Sequence, residues 1–358
     1  MAKNNTTSYF YHDKPVVGLD IGHSNIKVMQ TETTKRKRRV VGYGIAPFDS
    51  AAVKDGVIID HEAIARSLFD LFKKNLVGDI TTRRVALAIP AGRAFNRTVT
   101  LPPMGKQDLK NAVTLEAEQY IPIPLSELYF DYSVISQTEK ETELLIVAVP
   151  RKIVDSYMAL AKVLDLEVVA IETTIGSSGR LFVQAEKSNV PTVLIDLGSL
   201  SSDLTIYDKE LVVTGTVPGG GDSFTSAIAR QLKVTPQEAH IIKSKYGLGL
   251  SKKQKEITEC LTPTLDQLIK EIRRMVRYYQ ERSTSEGKIH QIVTMGGGAN
   301  MPGLSEHLTN ALRIPVRMCD PWQQLDFDGL QLPNSTEKSM YVTVAGLALM
   351  NPKEIFTA

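Results

Sequence analysis

The chain has 358 residues, 42% of them hydrophobic and 23% charged, with 42 basic and 40 acidic side chains for a net charge of +2. This is ordinary globular usage, with length enough for about two domains, and it excludes a disordered or collagen-like chain. A near-zero charge gives no global attraction to nucleic acid. Two cysteines, Cys260 and Cys319, cannot build a disulfide framework or a four-thiolate metal site. No apolar run approaches the ~18 residues that a spanning helix needs. The first 14 residues are polar, lack an apolar signal core and read as a short mobile leader on a soluble cytoplasmic protein.

In chain order, Val16, Val17, Leu19 and Ile21 form an apolar run broken by Gly22, and Ile26, Val28 and Gln30 resume it in extended fashion. This predicts strand, tight turn, strand. The basic run Lys35-Arg36-Lys37-Arg38-Arg39 reads as a solvated hairpin tip before a strand at 40–46, with a contact to anionic lipid as the alternative. Residues 61–76 predict an amphipathic helix with Ile64, Ala65, Leu68, Leu71 and Phe72 on one face. A short buried strand at 85–89 ends at Pro90.

Then a small unit of strand, helix, two strands and helix is predicted: 95–101, 106–120, 128–135, 143–149 and 151–164. Its first helix stops before Pro122 and Pro124. Residues 186–189 read as a linker. Strands at 190–197, 204–207 and 211–217 follow, then helices at 222–232 and 261–280 and a strand at 289–295.

An internal repeat organises this order. Val17-Gly18-Leu19-Asp20-Ile21-Gly22 resembles Leu194-Ile195-Asp196-Leu197-Gly198, half a chain away. Each aspartate ends an apolar strand, before a glycine turn and a returning strand. Two such halves suggest duplication, with a cleft between lobes.

The turn Asp20-Ile21-Gly22-His23-Ser24-Asn25-Ile26-Lys27 carries the chemistry of a phosphate site. Gly22 admits an anion to the backbone, and turn N–H groups cradle phosphate oxygens. Ser24 offers a hydroxyl and Lys27 a cation, while Asp20 suits a hydrated magnesium ion. A plain hairpin turn is the alternative reading. The second copy, from Asp196 through Gly198, Ser199 and Ser202, offers the same pieces from the opposite lobe. Two carboxylates on one cleft repel unless a cation or a proton lies between them. Gly296-Gly297-Gly298-Ala299-Asn300 follows a strand and leaves room for a flat ligand, or forms a structural turn. It is neither a P-loop nor a dinucleotide fingerprint. The six histidines show no metal-binding spacing. Trp322 reads as a packing anchor.

These elements resemble the phosphate-1, phosphate-2 and adenosine elements of the actin-like ATPase superfamily. Within it, the chain is similar to the PilM family of type IV pilus assembly proteins, which are FtsA-like. The likeness lies in the first turn, in Glu116-Ala117-Glu118-Gln119-Tyr120-Ile121-Pro122-Ile123-Pro124, and in Pro218-Gly219-Gly220-Gly221-Asp222. It implies an α/β actin-like fold with two duplicated lobes around a nucleotide cleft, and a small inserted α/β subdomain of the FtsA/PilM type at 93–168. The first lobe's core would be 15–92 with 169–188, the second's 189–218 with 288–358, and 219–287 an outer subdomain.

The resemblance further implies ATP and Mg2+ as cofactors. Asp20 and Asp196 would serve the metal. Gly22, His23, Ser24, Asn25, Lys27, Gly198, Ser199, Ser202, Gly220, Gly296, Gly297, Gly298 and Asn300 would line the nucleotide. Glu172, at the approach to the first connecting helix, would orient the attacking water; a plain helix-start glutamate is the alternative. Glu238-Ala239-His240-Ile241-Ile242-Lys243 resembles the ribose-binding A-E-x-x-K helix, keeping Lys243 but placing His240 where a glutamate is expected. Gly346, in the second connecting helix, would allow close packing at the lobe hinge.

The implied role is a cytoplasmic ATP-binding scaffold with at most slow ATPase activity, peripheral at the inner face of the inner membrane through its partners. It would dock the cytoplasmic N-terminal peptide of a PilN-like inner-membrane protein against Tyr120, Ile121, Ile123 and Leu125. Packing of those residues onto the first lobe is the alternative. Other members of the superfamily are small-molecule kinases or filament-forming cytoskeletal proteins, and both readings stay open.

Overall fold

The computed structural model describes residues 14–34, 38–185, 190–282, 287–323, 325–335 and 337–351. The leader up to residue 13, the basic-tip residues Lys35, Arg36 and Lys37, and the linker 186–189 lie outside them.

Strands β1 (Val17–Ile21), β2 (Asn25–Thr33) and β3 (Arg38–Pro47) form an antiparallel meander. A small hairpin, β4 (Val53–Lys54) and β5 (Val57–Ile58), precedes helix α1 (His61–Asp70). The Asp60 side chain caps α1 by accepting from the Ala63 N–H, as N-terminal donors require. The chain continues through β6 (Leu76–Gly78) to β7 (Arg84–Ile89), parallel to β1.

Next come β8 (Phe95–Leu101), α2 (Lys106–Tyr120), β9 (Leu128–Gln137) and β10 (Thr142–Pro150), whose strands make a separate sheet in the order β8-β10-β9. Helix α3 (Arg151–Val163) leads to β11 (Glu167–Thr173), parallel to β7, and then to α4 (Thr174–Ala185).

The second half repeats the plan. β12 (Thr192–Leu197), β13 (Ser201–Asp208) and β14 (Glu210–Pro218) are a meander. Helices α5 (Gly221–Leu232), α6 (Pro236–Lys245) and α7 (Gln254–Arg282) follow. β15 (Gln291–Met295) lies parallel to β12, and α8 (Leu304–Leu312) leads to β16 (Val316–Met318), parallel to β15. β17 (Leu325–Asp326) joins β3, and α9 (Val342–Ala348) follows. The orders β11-β7-β1-β2-β3 and β16-β15-β12-β13-β14 have the same succession of two parallel and two antiparallel pairings. The duplication is thus of topology as well as of motif.

Alternation along the strands sorts the side chains into layers. Val17, Leu19 and Ile21 pack outward on α1 and α3, and Val193, Ile195 and Leu197 pack on α5, α7 and α8. The opposite faces share one core: Met29 and Tyr43 of the first sheet and Leu194 and Val293 of the second meet Phe182 of α4 and Val344 of α9. Trp322 packs edge-on against Phe327 in this layer, with ring centroids 5.2 Å apart. Asp20 shares parity with Gly18, where a Cβ would fall 2.7 Å from the Val344 carbonyl oxygen. Asp196 shares parity with buried Leu194. The two aspartates therefore stand on the faces that look toward each other.

Three expectations change. The helix expected over 61–76 ends at Asp70; a π turn over Leu71–Asn75 follows, with Leu71 buried in register with Ile64 and Leu68 and Phe72 39% exposed. The long helix begins at Gln254 and runs through Pro263, because buried Ile257 and Leu261 extend its apolar face upstream. The face of α3, with Ile153, Tyr157 and Leu160, belongs to the first sheet's core and not to that of the three-stranded sheet. Gly346 behaves as its residue type suggests: a Cβ there would lie 1.9 Å from the Ser177 carbonyl oxygen, so α9 crosses α4 at backbone contact.

Candidate functional site

Two matching turns build the site. The Gly22 N–H donates to the Asn25 carbonyl at 2.9 Å, and the Gly198 N–H to the Ser201 carbonyl at 3.0 Å. A Cβ would meet those closing oxygens at 3.2 and 3.1 Å, so any side chain tightens both turns. Strand pairing then sets one residue opposite each aspartate: Lys27 opposite Asp20, and Asp203 opposite Asp196.

The copies differ in charge. Lys27 Nζ lies 2.7 Å from Asp20 Oδ2, with both side chains buried, so the first carboxylate has its counter-ion. In the second copy, buried Asp203 accepts from Thr216 Oγ1 at 2.7 Å. Asp196 is pushed up to about 7, first by burial, then by Asp203 and Asp20, with Lys27 opposing. Asp196 keeps some solvent contact at the cleft wall while protein crowds it on the other sides. Burial also raises Asp203. Three carboxylates and one ammonium thus act on one another across the cleft.

The other elements close around this centre. His23 Nε2 stands 3.8 Å from Asp222 Oδ2, spanning from the first turn to the start of α5. Asn25 Nδ2 donates to Ser24 Oγ at 3.2 Å. The Gly221 N–H donates to the Gly198 carbonyl and the Asp222 N–H to the Ser199 carbonyl, at 2.8 and 3.0 Å. A Cβ on Gly220 would lie 2.3 Å from the Gly198 oxygen. The Ser202 hydroxyl donates to the Gly219 carbonyl at 3.1 Å. Lys243 Nζ donates to the Gly221 carbonyl at 2.8 Å and to Thr225 Oγ1 at 2.9 Å, and burial lowers its pKa. His240, on the same helix, is exposed.

Gly296 has φ +80, and a Cβ there would fall 2.3 Å from Asp196 Oδ1. The third loop therefore lies against the second aspartate. It is pinned by the Gly296 N–H to the Ser339 carbonyl at 3.0 Å and by Ser339 Oγ to the Gly296 carbonyl at 2.7 Å. Gly297, Gly298 and Asn300 form the short 3-10 turn that follows.

Glu172 is the penultimate residue of β11, in register with Ala88, which pairs with Asp20. Both its carboxylate oxygens accept from Arg180, at 2.6 and 2.7 Å, and Arg180 also donates to the Gly346 carbonyl at 3.1 Å. This carboxylate braces the junction of α4 and α9. The Tyr120–Leu125 stretch sits elsewhere, on the three-stranded sheet. Ile121 is buried with Ala117, Leu128 and Ala148, while Tyr120, Ile123 and Leu125 pack at the edge of that cluster. The Arg97 guanidinium covers the Tyr120 ring at 4.5 Å. A shallow pocket of about 590 Å³ opens here, lined by Glu118 and residues 121–126.

Sequence reasoning missed Asp203, Thr216, Asp222 as a partner for His23, and Arg180. One signal was present: Asp203 follows Asp196 by seven residues, as Lys27 follows Asp20.

Magnesium and a nucleotide phosphate fit these residues. Among the described residues no group of three His, Cys, Asp or Glu side chains could hold a metal by itself. Magnesium, however, is usually held by one or two carboxylates, waters and substrate phosphates. Asp20 and Asp196 are such carboxylates, and glycines line all three loops. A bound Mg2+ would supply positive charge between phosphate oxygens and carboxylates that now repel.

Comparison with known proteins agrees with this architecture. The family model described as type IV pilus assembly protein PilM matches residues 18–351. The cell division protein FtsA of Bacillus subtilis is 22% identical over 347 residues, covering 85% of this chain and 78% of that protein. FtsA of Streptococcus pneumoniae is 25% identical over 350 residues, covering 86% and 75%. A chain from a PilM-PilN type IV pilus biogenesis complex superposes with a TM-score of 0.81 at 21% identity, covering 94% of this chain and 98% of that one. MreB5 of Spiroplasma citri bound to AMPPNP gives a TM-score of 0.53 at 14% identity, covering 93% and 94%. The solved structures show the actin-like ATPase fold. With the family model spanning nearly its whole length, the chain belongs to the PilM family of type IV pilus assembly proteins.

Proposed function

We propose that this chain is an ATP·Mg2+-binding cytoplasmic scaffold of the type IV pilus inner-membrane complex, and that its nucleotide-bound form docks the cytoplasmic N-terminus of a PilN-like protein. One observation carries the nucleotide half. Two like turns, one from each lobe, set carboxylates against one another, and burial first, then Asp203 and Asp20, push Asp196 up to about 7. A divalent cation carrying phosphates relieves that repulsion.

On this reading Asp20 and Asp196 serve the metal through its waters, with Asp203 behind them. Lys27 and the turn residues Gly22, His23, Ser24 and Asn25 take the phosphates from one lobe; Gly198, Ser199, Ser202 and Gly220 take them from the other. Gly296, Gly297, Gly298 and Asn300 border the adenosine, and Lys243 stands on the ribose side. Glu172 remains the candidate for orienting water, but it would have to release Arg180 to do so. That supports slow turnover, with the nucleotide acting by shifting the population of closed lobes.

The partner half is supported by the fold's likeness to a chain from a PilM-PilN complex and by the pocket beside residues 121–126. Pro122 and Pro124 withhold backbone donors there, which leaves side-chain pockets to read an extended peptide. No helix of the described residues is long and apolar enough to cross a membrane. Titration calorimetry with ATP and magnesium tests the nucleotide half. Asp20→Ala should weaken binding by about 1–3 kcal/mol, the cost of losing a charged partner, and equal affinity in wild type and variant rejects the assignment.

A further inference from the structure

The loop between α6 and α7 presents an apolar tip among lysines. Residues 245–255 contain Lys245, Lys252, Lys253 and Lys255 and no acidic residue, and all four lysines are exposed. Leu250 is 94% exposed, more than any other large apolar side chain among the described residues, and Tyr246, four residues before it, is exposed as well.

The loop is held firmly. Leu248 is buried in the second lobe's core. Its N–H donates to the Pro302 carbonyl at 2.8 Å, and its own carbonyl accepts from Gln254 Nε2 at 3.0 Å. The Gly249 N–H closes a turn on the Tyr246 carbonyl at 2.8 Å. Gly247 has φ +46, and a Cβ there would strike Met301 Cγ at 2.6 Å. One leucine therefore anchors the loop, and a second, two residues on, is held out into solvent. The adjacent acids are engaged: Glu256 pairs with Lys253 at 3.0 Å, and Glu238 closes the cap of α6 on Thr235.

A solitary apolar tip with lysines on both sides is the chemistry of a bilayer interface. Apolar side chains enter the headgroup layer, and each lysine gains from anionic lipid. A protein partner would call for a contiguous patch or groove, and a single leucine tip is neither. We propose that this loop contacts the surface of an anionic lipid bilayer directly, with Leu250 and Tyr246 in the headgroup layer and the lysines on its phosphates. The contact rests on neither the nucleotide cleft nor the peptide pocket.

The test is co-sedimentation of the full chain with vesicles of phosphatidylethanolamine and phosphatidylglycerol, against vesicles of phosphatidylcholine alone. The anionic vesicles should bind the chain, less so as salt rises, and the neutral ones should not. Each lysine near such a surface contributes about fivefold in partitioning. Lys252→Glu with Lys255→Glu should therefore weaken binding at least about 25-fold. Leu250→Asp should weaken it as well, with circular dichroism and melting unchanged in both variants. Wild type that stays off anionic vesicles overturns the proposal, as does equal binding by Leu250→Asp. Capture by immobilised polyglutamate without vesicle binding would assign the loop to an acidic protein and overturns it too.

Discussion

Replacing Asp196 by Asn should stabilise the ligand-free protein while removing its response to magnesium nucleotide. Asp196 is raised from 3.8 to about 7. The folded state therefore keeps a proton that the unfolded chain loses between about pH 4 and pH 7. Stability falls as pH climbs through that window and is flat above it. Three units at 1.36 kcal/mol each set a ceiling of about 4 kcal/mol. The side chain keeps some solvent contact, so a realistic cost of ionisation is about 1–3 kcal/mol. Asn imitates the protonated acid and escapes that cost. At about 2.1 cal/mol/K per residue, the unfolding entropy of this chain is ~0.75 kcal/mol/K, so the gain in Tm at pH ~8 is about 1–4 °C. The assay is thermal unfolding of wild type and Asp196→Asn at pH ~8 and pH ~4, each with and without ATP and magnesium. The variant should melt higher than wild type when ligand-free at pH ~8, melt equally at pH ~4, and gain less from the ligand. An Asn variant no more stable at pH ~8, or a difference independent of pH, refutes the reasoning.

Gly346→Ala should destabilise by about 3 kcal/mol or more, the upper end of overpacking costs, since its Cβ would stand 1.9 Å from the Ser177 carbonyl oxygen; a loss below ~1 kcal/mol in urea unfolding contradicts the close crossing. ATP turnover should stay below ~10 s⁻¹, an ordinary enzyme median, because both oxygens of Glu172 are held by Arg180; faster steady-state hydrolysis refutes the scaffold role. Ile123→Asp should weaken a labelled PilN-like N-terminal peptide about tenfold or more in fluorescence anisotropy, by putting a charge in the pocket at residues 121–126. Unchanged affinity would place the peptide elsewhere.

What the sequence made legible was local. A glycine turn after an apolar strand is specified by a few adjacent residues, and Gly22 and Gly198 close the same turn with the same bond. The long-range partners were harder to read. Asp203 lies on the returning strand, and only pairing the strands sets it opposite Asp196. Arg180 is one of many surface-type residues in the sequence until β11 and α4 bring it onto Glu172. An amphipathic face does not say which sheet it covers, so α3 read as part of the insert although its apolar residues join the first lobe's core. We therefore propose that the insert ends near residue 150. After α1, a π turn over Leu71–Asn75 leaves Phe72 off the apolar stripe, and periodicity alone does not foresee that.

The hinge proposed between the lobes would lie in the same packing. The chain passes from the first sheet to the second through α4, and α9 lies across α4 at Gly346 and across β1 at Gly18. At both crossings a backbone oxygen sits where a Cβ would be, so neither contact has a side chain to act as a spacer. Surfaces packed this closely resist compression but can slide, which is shear rather than opening. Arg180 ties both helices to Glu172 on the strand that neighbours β7. On the proposed reading, a ligand that draws Asp20 and Asp196 together would slide α9 against α4 and β1, and would load the Arg180 contacts that join these helices to Glu172. On the proposed reading, nucleotide would be felt at the hinge through Glu172 whether or not Glu172 touches water.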